Sequence, residues 1–145
     1  MIVIAIDIDK AKAIYCVLEQ DANGGISILK VDPPFMTLID DKDSLGVRKF
    51  QSALFSFFDG IKPDIIVVLA RQMKGRFKAA SVSFKIEALI QSYKKVNVSF
   101  LAPQTLKAYF KKHDVDMSIE YGYQEDAVKC GYYILLQQGD AVRAL

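Results

Sequence analysis

Apolar residues along this chain fall into short continuous runs and helical stripes, and the two kinds alternate. Ile2 to Ile6 is an unbroken, mostly β-branched run, the pattern of a central strand buried on both faces. A short polar link, Asp9 to Lys12, leads to a second predicted strand, Ala13 to Glu19. Asp21-Ala22-Asn23-Gly24-Gly25 has the composition of a hairpin turn, and Ile26 to Val31 forms the third strand. Pro33-Pro34 ends it, because proline cannot donate to a ladder. Val47, Phe50, Leu54, Phe57, Phe58 and Ile61 recur at helical spacing, predicting a helix over Leu45 to Phe58 with Ser44 as its N-cap. Gly60 and Pro63 stop it. Ile65 to Leu69 is a second fully buried strand. Val82, Ile86, Leu89, Ile90 and Tyr93 mark another helix, Val96 to Leu101 a fifth strand, and Gln104 to Lys112 a short helix behind Pro103. Asp114 to Gly122 is polar and irregular, and the last helix runs from about Gln124 to Gln137. The order β-β-β-α-β-α-β-α-α predicts an α/β fold, a mixed sheet with a hairpin-linked opening flanked by helices.

Length and composition narrow this picture. A chain of 145 residues, 52% apolar and 25% charged, suits one domain over residues 1–145, and no repeat or linker divides it. The net charge of +2 does not by itself point to nucleic acid. Cys16, Cys130 and His113 form no zinc pattern, so the thiols read as reduced and structural, as in a cytoplasm. The opening segment lacks the basic and cleavage regions of a signal peptide, and no apolar run is long enough to span a membrane.

The acids are placed more tellingly than the total charge. Asp7 follows the first buried run, at the carboxyl end of a strand, where α/β sheets place their ligand sites and where an oxygen ligand suits a hard cation. The competing reading is that Asp7 only opens a turn. Glu125 and Asp126 begin the last helix, where the helix dipole alone also explains them. Arg71, Lys74, Arg76 and Lys78, with Phe77 among them, form a cationic loop after the strand, and Lys85 and Lys107 extend the patch. Such side chains hold phosphates without reading sequence, although an ordinary solvated loop has the same composition. Tyr132 and Tyr133 read as core, as do Phe50, Phe55, Phe57 and Phe58, and His113 as a surface residue at a helix end.

Three of these segments carry a resemblance. Val3-Ile4-Ala5-Ile6-Asp7, Leu101-Ala102-Pro103-Gln104-Thr105-Leu106-Lys107 and Glu125-Asp126-Ala127-Val128 resemble, in order, the first strand, the strand–proline–helix motif and the final-helix opening of RuvC-type Holliday junction resolvases, in the ribonuclease H-like superfamily. The block Lys74-Gly75-Arg76-Phe77 through Val82 to Gln91 resembles a small bacterial family within that superfamily. The resemblance implies a carboxylate cluster binding two Mg²⁺ or Mn²⁺ ions for phosphodiester hydrolysis, with Asp7 as first ligand and Asp126, with Glu125, as last. It also implies a nucleic-acid partner, DNA first, and a homodimer. The pattern departs in the middle. The family's central glutamate falls at Ala70 when counted back from Lys74-Gly75-Arg76-Phe77, or at Leu69 when counted forward from Pro63. Either the chain has lost catalysis or it carries an introduced glutamate-to-alanine change.

Two function classes follow: a metal-dependent endonuclease fold for structured or branched DNA, inactive as written because Ala70 stands at the glutamate position, or a non-catalytic nucleic-acid-binding or protein-interaction module. A nucleotide-handling ATPase of the actin-like relatives is a distant third, because the chain is short and has no glycine-rich phosphate loop.

Overall fold

The computed structural model describes residues 1–70, 80–115 and 117–144, with side chains to residue 138. Strand β1 (Ile2–Asp9) turns through Lys10 and Ala11 into β2 (Lys12–Gln20). Lys10 takes a left-handed backbone at φ 54°, which lets pairing continue to Asp9 opposite Lys12. The polar link therefore belongs to the ladder. Asp7 sits inside the strand opposite Ile14, so it does not open a turn. Next come β3 (Ile26–Leu29) and β4 (Phe35–Thr37), a three-residue strand after the prolines that pairs with β2 and was not expected.

Helix α1 (Ser44–Ile61) is capped by Asp43, whose carboxylate accepts from the Leu45 N–H at 3.2 Å, so the cap lies one residue before Ser44. Gly60 lies within the helix, which ends at Lys62 in the left-handed region, φ 56°. Strand β5 (Ile65–Leu69), α2 (Ser81–Gln91), β6 (Val98–Leu101) and α3 (Pro103–Phe110) follow. A single turn of 3₁₀ helix at Gly122–Gln124 leads directly into α4 (Glu125–Ala144).

The sheet order is β3-β2-β1-β5-β6, with β4 also on β2. The β1, β2 and β3 pairs are antiparallel, whereas β5 joins β1 and β6 joins β5 in parallel. Alternation along β1 divides the core in two. Ile4, Ile6 and Ile8 face α1 and α2, against Phe50, Leu54, Phe58, Ile86 and Ile90. Val3 and Ala5 face α3 and α4, against Leu106, Val128, Cys130 and Leu135. Phe55 and Phe57 pack on the first core, and Tyr132 and Tyr133 on the second. Both cysteines are free and buried. Among the described residues no helix is long and apolar enough to cross a membrane.

Candidate nucleic-acid interface at the carboxyl end of the sheet

Register decides what lies around Asp7. Ile6 pairs with Val68 in parallel, so one step further along both strands brings Asp7 beside Leu69. Leu69 packs in the core of Val3 and Ala5, on the face that Asp7 shares by alternation. Asp7 is half-buried and engaged in interactions within the fold.

Helix α4 crosses this face closely. A methyl group at Gly131 would lie 2.5 Å from Leu18 Cδ1 and 3.1 Å from Ala5 Cβ, so glycine permits the approach. Just before the helix, the Gln124 amide donates to the Tyr15 carbonyl at 3.2 Å, and Tyr15 pairs with Ile6. The start of α4 is thereby set at the carboxyl end of β1. Leu69 and Asp126 line one small cleft, about 110 Å³, together with Pro103, Lys107, Phe110 and Lys129. Leu69 is thus the strand neighbour of Asp7 and shares the cleft with Asp126. Ala70 is absent from the cleft lining, and its N–H donates to the Leu101 carbonyl at 2.9 Å.

The other candidate residues divide. Glu125 is absent from the cleft lining and pairs at 3.0 Å with Lys129, one helical turn on and itself in that lining. Lys107 lies in the cleft because Pro103 starts α3 directly after β6. Lys85, on α2 across the sheet, pairs with Asp41 at 2.8 Å and is not brought to Lys107. Its hydrogen bond and charge hold the Asp41 carboxyl below the usual range. Arg71, Lys74, Arg76 and Lys78 lie outside the described residues. In sequence their segment joins Ala70, after β5, to Ala80, before α2. His113, beyond α3, stacks on Tyr109 at 4.0 Å.

These donors do not fit a two-metal centre. Among the described residues no three Asp, Glu, His or Cys side chains come together as metal ligands. The segment 71–79 contains none of those residue types in its sequence, and two lysines share the cleft with Asp126. Two hard cations need several oxygen ligands each.

Two features escaped the sequence reading, Lys129 and an aromatic group formed by the exposed Tyr121 and Tyr123 with the half-buried Phe35, and Leu69, offered there only as an alternative to Ala70, is the side chain beside Asp7. The i, i+4 spacing of Glu125 and Lys129 was a usable signal. Leu69 followed from counting strand alternation. The aromatic group joins residues distant in sequence and had no local signal.

The fold and this site define a class. The chain is similar to the RuvC structure of Thermus thermophilus, with a TM-score of 0.70, 11% identity and coverage of 90% of this chain and 91% of that one. It is similar to T. thermophilus RuvC in complex with Holliday junction substrate (TM-score 0.68, 12% identity, 90% of each chain). It is also similar to the yeast mitochondrial Holliday junction resolvase, with a TM-score of 0.51, 16% identity and coverage of 74% of this chain and 53% of that one. The architecture is therefore the RuvC type of the ribonuclease H-like fold. By sequence, residues 1–134 match the family described as "Protein of unknown function (DUF3010)", and the chain belongs to it. Among curated proteins none matches the chain.

Proposed function

We propose that the chain binds structured or branched DNA across the carboxyl end of its sheet and, as its sequence stands, does not assemble the two-metal centre of a nuclease. One observation carries the reading. Leu69, rather than an acid, is the strand neighbour of Asp7 and shares a cleft with Asp126, on the face where the RuvC likeness implies a carboxylate cluster. The likeness to a resolvase structure in complex with Holliday junction substrate supports the choice of branched DNA. Lys107 and Lys129 supply cations beside Asp126, and Arg71, Lys74, Arg76 and Lys78 follow β5 in sequence. The same likeness suggests a homodimer, which light scattering would record at about twice the 16.2 kDa of one chain.

The test combines junction binding with metal calorimetry. A four-way junction should bind in EDTA and remain uncut in Mg²⁺ or Mn²⁺. Leu69→Glu should raise Mn²⁺ affinity about tenfold or more, because loss of even outer-shell partners costs roughly 10–100-fold. The same change combined with Asp7→Ala should gain nothing. A gain from Ala70→Glu instead of Leu69→Glu would move the missing ligand to position 70. Efficient cleavage by the unaltered chain, or no DNA binding at low salt, would overturn the proposal.

A further inference from the structure

Tyr121 and Tyr123 keep 38% and 45% of their surface exposed, directly before the helix that carries Asp126. Exposed tyrosines usually lie flat on their own surface, but these two stack on each other, centroids 5.3 Å apart and planes 13° from parallel. Tyr123 meets Phe35 edge-on at 6.2 Å, and Lys12 holds its ammonium 4.7 Å from the Phe35 ring centre. Phe35 pairs with Ile14, which pairs with Asp7, so this cluster lies in the same cross-sheet row as the candidate site. The rings are thus ordered before any ligand arrives, and little side-chain entropy remains to be lost on stacking.

Beside Tyr121 opens a cleft of about 190 Å³, lined also by Tyr15, Lys30, Ser118, Glu120 and Gln124. That is below the roughly 300–1,000 Å³ of ordinary small-molecule sites and suits a single planar ring. Phenols are neutral at physiological pH, and Glu120 moves the Tyr121 pKa further up. Glu120 and Lys30 balance one another in the lining, so no cationic patch gathers a phosphate here, and the stacked rings make the base the fitting part of a nucleotide. A carboxylate accepts from an exocyclic amine, as acids do from the cytosine amino group.

We infer that Tyr121, Tyr123 and Phe35 form a stacking platform for one unpaired nucleobase, with Glu120 selecting bases that carry an exocyclic amine. This rests on the DNA-binding reading above and adds to it a second contact, made to a base where the strand leaves the duplex. Thymine, which has no exocyclic amine, is the disfavoured base.

Fluorescence anisotropy with short deoxycytidine and deoxythymidine homopolymers and a fully paired four-way junction tests it. The wild type should prefer the deoxycytidine strand by roughly fivefold or more. Tyr121→Ala with Tyr123→Ala should weaken that strand by about 5- to 30-fold and leave the paired junction unchanged. Phenylalanine at both positions should keep the affinity, which separates stacking from a folding defect. Glu120→Ala should abolish the preference over thymidine while leaving thymidine binding in place. Unchanged deoxycytidine affinity in the double alanine variant, with the junction still bound, overturns the platform and spares the DNA reading. A preference that survives Glu120→Ala overturns the selecting role. Failure of the wild type to bind any of the three DNAs overturns both.

Discussion

Cys16 and Tyr93, like Tyr15, are held protonated by burial and so favour the fold below alkaline pH. Burial pushes the Cys16 thiol from its usual 9.0 to about 12. Burial, and then the 2.6 Å hydrogen bond it donates to Asp59, push the Tyr93 phenol from 10.0 to about 12. Each group is held protonated in the folded chain. Its contribution is complete below the unfolded value and is lost as pH rises through the folded one. Stability should therefore decline from about pH 9 for Cys16 and pH 10 for Tyr93, through about pH 12. Urea midpoints across that range should show the decline, and Cys16→Ala with Tyr93→Phe should flatten it. An equal slope in the double variant would mean that other groups titrate. At this scale the sequence was partly legible. Buried thiols followed from the absence of any metal spacing. Asp43 and Ser44 are both good caps, and only the geometry chooses between them.

The seat of α4 on the sheet depends on one glycine. Gly131→Val should cost about 1–3 kcal/mol by overpacking, read as a lowered urea midpoint with the far-ultraviolet spectrum retained. Leu18 Cδ1 and Ala5 Cβ have no room to retreat, since both residues are fully buried. A neutral result would mean that α4 lies further from the sheet. The long runs Ile2–Ile6 and Ile65–Leu69 announced their strands because both of their faces are covered. β4 gave no such signal, because three residues behind two prolines pair only through contact with β2. The Asp9–Lys12 link read as a loop because a left-handed lysine is rare enough not to be expected.

Charge distribution matters more than total charge across the whole molecule. The net charge is only +2, yet Lys107 and Lys129 share one cleft, and Arg71, Lys74, Arg76 and Lys78 follow the strand that ends beside it. If that segment neutralises phosphates, Lys74→Glu with Arg76→Glu should weaken junction binding. It should also make the salt dependence shallower by about 1.8 in the log–log slope, at about 0.9 per phosphate contact. An unchanged slope would assign the electrostatic contacts elsewhere. The fold class was legible in the alternation of runs and stripes, and the start of the helix that carries Asp126 is a local feature, whereas Asp7 lies within β1 and not at its end. The leucine beside Asp7 needed the register of two strands 62 residues apart in sequence.

That register has a further consequence. β1 is read by two helical layers at once, and alternation ties the address of its acid to the address of its isoleucines. A slip of one residue would send Asp7 among Phe50, Leu54 and Phe58 and turn Ile6 or Ile8 toward the cleft. The mispaired chain would bury a carboxylate in an aromatic interior, at a cost that excludes it. The packing of one side of the sheet thus proofreads the chemistry displayed on the other.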